Sequence, residues 1–181
     1  MEKEENVEIN SIPKLFWDSV NKKNDQVAMR EKNLGIWEAT SWKKYGEFAK
    51  NTGLAPHALG LKKGEVVSIA SEGIPEWLFT DMGTIAVGGI SSGIYTTDSS
   101  TQVKYLVNDS KTKFYFAENE EQLDKILEVR DECPTLEKII IYDMEGLLDF
   151  KDEQVISYDE FLIMGSKLDS EKPELWVNLI N

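Results

Sequence analysis

Three polar segments carry the side chains best suited to chemistry: Ser71-Glu72-Gly73, Tyr95-Thr96-Thr97-Asp98 and Glu118-Asn119. Each follows an apolar run that reads as a strand. All three are therefore predicted at the carboxyl ends of strands, where open α/β sheets hold ligands. Such hydroxyls and carboxylates could ligate magnesium. The same residue types cap helices, and the spacing favours capping: Ser99 and Gln102 form a capping box, and Asn119 precedes an acidic first turn. Other chemistry is sparse. His57 is the only histidine, which leaves no His/Cys cluster for a transition metal and no base for a serine or cysteine triad. Cys133, the only cysteine, permits no internal disulfide and reads as an inert thiol in a reducing compartment. No G-x-G-x-x-G follows the first strand, and no G-x-x-x-x-G-K-[ST] occurs. Gly83, Gly88, Gly89 and Gly93 are expected to permit close helix–sheet packing, not to cradle a phosphate. From the residues alone, no catalytic, cofactor-binding or metal-binding position is assigned.

Composition narrows the function classes. The 181 residues, 41% apolar and 29% charged, suit one globular domain. A net charge of −13 argues against nucleic acid and anionic membrane surfaces as partners. No apolar run reaches the ~18 residues that span a bilayer. The start, Met1-Glu2-Lys3-Glu4-Glu5, is acidic where a secretory signal is basic and then apolar, so a cytoplasmic location is expected.

The elements that must position the polar segments are legible in order. Glu65–Ser71 reads as a buried strand, Pro75 opens a helix that runs to Val87, and Ile90–Ile94 returns as a strand. Leu78, Met82, Ile85 and Ala86 recur at helical spacing and are expected to face inward. Further strands are predicted at Lys113–Ala117 and Leu136–Tyr142, with helices from Ser99 and from Asn119 to Arg130 between them. This alternation predicts an α/β fold: a mostly parallel sheet with helices on both faces. Residues 1–10 are expected to form a disordered tail.

Ser11 caps a helix with Ile12, Phe16 and Val20 on one face. Val27–Lys32 and Ile36–Thr40 flank Asn33-Leu34-Gly35 as a β-hairpin, an ornament at one edge of the sheet. Ser41 caps a helix with Trp42, Tyr45, Phe48 and Ala49 inward. Pro56 is expected to kink or stop that helix between Thr52 and Ala55, since proline removes a hydrogen bond at a cost of ~3 kcal/mol. Towards the end, Gly146–Lys151 reads as a loop, Ser157 caps a helix through Met164, and Leu168–Pro173 is a polar linker. Leu175–Ile180 is an apolar cluster expected to be exposed and to promote self-association.

Several segments resemble the adenylate-forming (AMP-binding) acyl-CoA synthetases, in particular the bubblegum-like branch of the long-chain fatty acid–CoA ligases. They are Leu59-Gly60-Leu61-Lys62-Lys63-Gly64-Glu65-Val66-Val67-Ser68-Ile69-Ala70-Ser71, Pro75-Glu76-Trp77, and Gly88-Gly89-Ile90-Ser91-Ser92-Gly93-Ile94-Tyr95-Thr96-Thr97-Asp98-Ser99. Gln102-Val103-x-Tyr105-x-x-Asn108-Asp109-Ser110, Arg130-Asp131-Glu132-x-Pro134 and Lys172-Pro173-Glu174-Leu175-Trp176 continue the pattern. Departures are Gly73-Ile74, where relatives often carry Asn-Arg, and Pro56. The resemblance implies the first subdomain of such an enzyme, over residues 11–181. It also implies a two-step reaction in which a fatty acid and ATP give an acyl-adenylate, and CoA then displaces AMP. The full-length family uses ATP, Mg2+ and CoA, and is cytoplasmic or peripheral to membranes. Its phosphate loop, Tyr-Thr-Ser-Gly-Thr-Thr-Gly-x-Pro-Lys-Gly, falls by family spacing just after Asn181, so no catalytic position is carried over and no cofactor is expected on these residues alone.

Two functional readings therefore stand. One is the amino-terminal part of a long-chain fatty acid–CoA ligase, inactive by itself. The other is a non-catalytic binding module that reuses the fold. A phosphate-accepting switch domain lacks the acidic cluster it needs at the end of the first strand.

Overall fold

A computed structural model describes residues 11–181; the expected tail over residues 1–10 lies outside the described residues. In chain order the elements are α1 (Ile12–Lys23), β1 (Val27–Asn33), β2 (Ile36–Ser41), α2 (Trp42–Ala58), β3 (Val66–Ala70), α3 (Pro75–Ala86), β4 (Ile90–Ile94) and α4 (Ser100–Ser110). They continue with β5 (Thr112–Ala117), α5 (Glu120–Val129), a 3₁₀ turn at Arg130–Glu132, β6 (Lys138–Ile141), β7 (Val155–Ser157), α6 (Tyr158–Glu171) and α7 (Leu175–Ile180).

Strands β4-β3-β5-β6-β7 form one sheet in that order, parallel throughout. Pleat alternation sorts its side chains onto two cores. Val67, Ile69, Phe114, Phe116 and Ile140 face α2, α6 and α7, where they meet Leu54, Ala55, Phe161 and Trp176. Ala70, Tyr115, Ala117, Ile139 and Ile141 face α4 and α5 and meet Val103, Val107, Leu123 and Ile126. The parallel sheet with helices on both faces is thus as expected. Strand β7 was not: only three half-buried residues carry it, and it pairs with β6.

Helix α2 organises the first face. Its Gly53 lies against Gly83 of α3, and its Asn51 carbonyl lies against Gly165 of α6; a Cβ added at any of the three glycines would overlap backbone. Gly83 therefore serves helix–helix contact, where helix–sheet contact was expected. This close approach explains two further departures from the sequence reading.

First, α3 turns its small residues inward. Phe79, Thr80, Gly83, Thr84 and Ala86 are buried, while Leu78 is exposed and Met82 and Ile85 are only half-buried. Of the four residues that hydropathy spacing chose, Ala86 is buried as expected; Leu78, Met82 and Ile85 are displaced because the spacing rewards bulk, whereas the close backbone contact at Gly83 requires a small residue. Second, α2 runs as one helix through Pro56, with no stop at Thr52–Ala55. The proline sits in the last turn, and burial of Thr52, Leu54, Ala55 and Pro56 holds that turn in place.

The hairpin is a separate two-stranded antiparallel sheet, not an edge of the main one. It is joined to α2 through the Trp42 amide, which donates to the Gln26 carbonyl at 2.9 Å. A third core of Phe16, Val20, Tyr45, Ala49 and Phe79 ties α1 to α2 and α3, with Phe16 and Tyr45 edge to face at 4.8 Å.

At the carboxyl end, α6 continues past Met164 to Glu171, so the polar linker shrinks to Lys172–Glu174. The cluster expected to be exposed is folded back. Trp176 is 1% and Ile180 7% exposed, and the Trp176 ring meets Trp17 edge to face at 5.5 Å. Only Val177 remains exposed among its large apolar side chains. The basis for self-association through this cluster is therefore removed.

Candidate functional site

The strand order reverses at β3, with β4 on one side and β5 on the other. In a doubly wound sheet the crevice at that reversal is the usual ligand position. The three polar segments picked out in the sequence converge there, after β3, β4 and β5.

Their side chains bind one another. The Glu118 carboxylate crosses the crevice and accepts from the Glu72 amide at 2.5 Å. The Glu72 carboxylate accepts from the Thr96 hydroxyl. The Thr96 carbonyl accepts from Lys125 Nζ at 2.5 Å and from Gln122 Nε2 at 3.3 Å. Lys125 also pairs with Glu121 at 2.8 Å, an i, i+4 pair on α5. That hydrogen bond holds the Glu121 carboxyl below the usual glutamate range. Capping is realised as the spacing indicated: the Ser99 hydroxyl accepts from the Gln102 amide at 3.4 Å, and Asn119 Oδ1 accepts from the Gln122 amide at 3.3 Å. Reading the residue types picked out the three polar segments and their caps, but none of the links between them: Glu118 to Glu72, Glu72 to Thr96, and Thr96 to Lys125 and Gln122. The parallel register, which sets Ala70 beside Ala117, is what brings Glu72 and Glu118 together.

The recess over this network holds about 540 Å³ and is lined by Glu72, Asp98, Glu118, Glu121 and Lys125, among others. Four carboxylates against one lysine make it a poor seat for a polyanion. The backbone donor that an anion would use, the Glu72 amide, is already taken by Glu118. Among the described residues no three His, Cys, Asp or Glu side chains are grouped to hold a metal ion. A smaller adjoining recess of about 290 Å³ lies between Trp77, Gly93 and Tyr95.

On the α2/α6 side of the sheet are two hydroxyl pairs that the sequence reading missed, one part-buried and one buried. Thr80 and Tyr142 lie 2.6 Å apart, and Thr52 and Tyr158 lie 2.7 Å apart. Burial pushes both tyrosine hydroxyls well above their ordinary range, so they stay protonated. Burial also pushes the Glu76 carboxyl up, with the charges of Glu31 and Glu118 adding to the effect. No pattern in the sequence pairs residues 62 or 106 positions apart.

The remaining candidates are structural. Cys133 is buried and donates to the Val129 carbonyl at 3.5 Å; burial pushes its thiol up, away from reactivity. His57 is half-buried in the last turn of α2. At the amino end of the sheet a groove of about 410 Å³ is spanned by Lys113, which pairs with Glu65 at 3.0 Å and Glu137 at 3.3 Å.

Comparison with known proteins supplies what this geometry leaves open. Residues 16–174 match the family described as AMP-binding enzyme. Long-chain-fatty-acid–CoA ligase ACSBG2 of Xenopus laevis is 35% identical over 179 residues, which are 94% of this chain and 24% of that protein. Long-chain-fatty-acid–CoA ligase ACSBG1 of Homo sapiens is 30% identical over 161 residues, 89% of this chain and 22% of that protein. The chain thus spans about a quarter of the length of these relatives. Among solved structures, the anthranilate CoA ligase AuaEII in complex with anthranoyl-AMP superposes with a TM-score of 0.73 at 19% identity, over 83% of this chain and 27% of that one. The adenylation domain of a carboxylate reductase from Mycobacterium chelonae gives 0.70 at 14% identity, over 88% and 30%. At these identities the structural likenesses establish the fold, while the family match covers most of the sequence. The chain belongs to the AMP-binding enzyme family.

Proposed function

We propose that this chain is the amino-terminal part of an ATP-dependent, AMP-forming long-chain fatty acid–CoA ligase, and that the 181 residues alone are catalytically silent. The observation that carries the first half is the 35% identity to a named long-chain fatty acid–CoA ligase over 94% of the chain. The second half rests on the site. Acyl-adenylate formation needs preorganised donors around the phosphates and an aligned carboxylate nucleophile. The recess at the strand ends offers mainly carboxylates, which do not fit the phosphates of ATP or CoA. ATP, Mg2+, CoA and the fatty acid would accordingly be held by parts of the full-length enzyme outside these residues. The role left to this segment is architectural: it sets the loops after β3, β4 and β5 in a fixed network beside that chemistry. A cytoplasmic setting is part of the proposal and is supported by the lone, reduced cysteine.

The test is pyrophosphate exchange into ATP with palmitate, on the purified 181-residue chain. No fatty-acid-dependent exchange is expected, because losing even one oxyanion donor typically costs ~3 kcal/mol of transition-state stabilisation. Exchange above background would overturn the claim of silence. Reading the coding sequence 3′ of codon 181 tests the first half separately: an in-frame phosphate loop supports it, and a stop codon favours the non-catalytic module.

A further inference from the structure

The β1–β2 hairpin brings three carboxylates to one small recess. Glu31 and Glu38 are paired directly across the two strands. Both line a cavity of about 140 Å³ between the hairpin, α2 and α3, and Glu76, in the first turn of α3, lines the same cavity. Like charges directly opposite on neighbouring strands repel, and the half-buried Glu76 adds a third to the pair. Lys44 of α2 is the one cation lining this recess, and its ammonium lies over the Phe48 ring at 5.6 Å. Among the described residues none of these four charged groups is in an ion pair. The groups that face Glu76 from the other packed elements do not compensate it: Glu118, after β5, has the same sign, and the Tyr142 and Tyr158 hydroxyls are neutral. The hairpin itself is held lightly. Every residue from Arg30 to Ala39 is exposed, and its apolar contacts with the core are Ala28 and Met29.

We propose that Glu31, Glu38 and Glu76 form a charge-operated clasp: the hairpin sits firmly on α3 when one of the three carboxyls is neutral and loosens when all three are ionised. Closing the hairpin brings Glu31 and Glu38 towards Glu76 and shields that carboxylate from water, so closure and ionisation oppose each other. Burial, with the charge of Glu31 adding to it, holds the Glu76 carboxyl above its ordinary range. Glu76 therefore binds its proton more tightly with the hairpin closed than with it open. The resulting penalty on closure is absent below the ordinary glutamate pKa of ~4.3 and grows as the pH rises through the higher closed-state value. At neutral pH the clasp is under repulsion, and any change that neutralises one carboxyl tightens it. The clasp also reaches the crevice, since Glu76 belongs to the same β3–α3 junction as Glu72, whose amide Glu118 holds.

Hydrogen exchange of the 181-residue chain, read by mass spectrometry and corrected for intrinsic rates, tests this on the peptides covering β1 and β2. Amide protection there should fall about threefold to tenfold between about pH 5 and about pH 7.5. Glu76→Gln should keep the acid-side protection at both, and Glu38→Gln, at an exposed position, should do so in part. Lys44→Gln removes the one cation and should lower protection about twofold at about pH 7.5. Salt at about 1 M should shrink the pH effect, since Glu31 and Glu38 are exposed and screened. Glu145→Gln deletes an exposed carboxylate elsewhere and should behave as the parent. Peptides covering α5 should hold their protection across the same range. Hairpin protection that does not change with pH would overturn the proposal. So would a parental pH dependence in either Glu76→Gln or Glu38→Gln, or an equal effect of Glu145→Gln. Loosening of α5 in step with the hairpin would also overturn it, because the change would then be global.

Discussion

Replacing Gly165 by alanine sets two physical effects against each other. Gly165 lies inside α6, where alanine should favour the helix by ~1 kcal/mol. In the fold, however, the added Cβ would sit on the Asn51 carbonyl of α2, which is backbone and cannot rotate away. Helix α6 must then retreat from α2. Retreat loosens Phe161, which is fully buried, and lengthens the 2.7 Å bond between Tyr158 and Thr52. Overpacking costs ~1–3 kcal/mol and the weakened buried bond ~1 kcal/mol, so the net loss after the propensity gain of ~1 kcal/mol is ~1–3 kcal/mol. For a domain of this size each kcal/mol shifts the midpoint by ~2–4 °C, giving a fall of ~2–12 °C. Thermal unfolding followed by far-UV circular dichroism and tryptophan fluorescence reads this directly. Ser166→Ala, next along the same helix but exposed, is the control and should melt at or slightly above the parent. A Gly165→Ala chain as stable as the parent would refute the tight α2–α6 contact.

Trp176→Ala removes a ring that is 1% exposed and packed on Trp17, and should cost ~3–5 kcal/mol. On size-exclusion chromatography the parent should run as a monomer and this variant should aggregate; a parent that self-associates at micromolar concentration would count against the closed carboxyl end. The Glu65 carboxyl accepts from the Lys62 amide at 2.7 Å and from Lys113 at 3.0 Å, and these bonds lower its pKa. Its contribution to stability is therefore present above the ordinary glutamate pKa of ~4.3 and is lost as the pH falls through the lower folded value. The urea midpoint of Glu65→Gln should accordingly lie below the parent's at pH 6 and converge with it near pH 3, and parallel pH profiles would exclude the effect.

Much of the architecture was written locally. Alternating strands and helices, the caps at Ser11, Ser41, Ser99, Asn119 and Ser157, and the Glu121–Lys125 pair each depend on neighbours within a few residues. That is the range over which hydropathy period and hydrogen-bonding side chains act. The polar segments at the strand ends were legible for the same reason, since a parallel sheet places such ends together whatever the loops contain.

What the sequence could not express was distance across the fold. The inward face of α3 was read correctly only at Ala86, because hydropathy spacing marks large residues and the contact with α2 is made by Gly83 meeting Gly53. Pro56 did not break α2 because the buried last turn outweighs one absent hydrogen bond, a balance set by neighbours far away in the chain. The apolar carboxyl end looked stranded in one dimension, yet Trp17, 159 positions earlier, is waiting for Trp176 across the first core. The Glu118 carboxylate on the Glu72 amide likewise follows from strand register. Local chemistry thus determined which elements form and what caps them. Only tertiary packing decided which faces are buried and whether the crevice at the strand ends stands open to an anion or is closed by the chain's own charge.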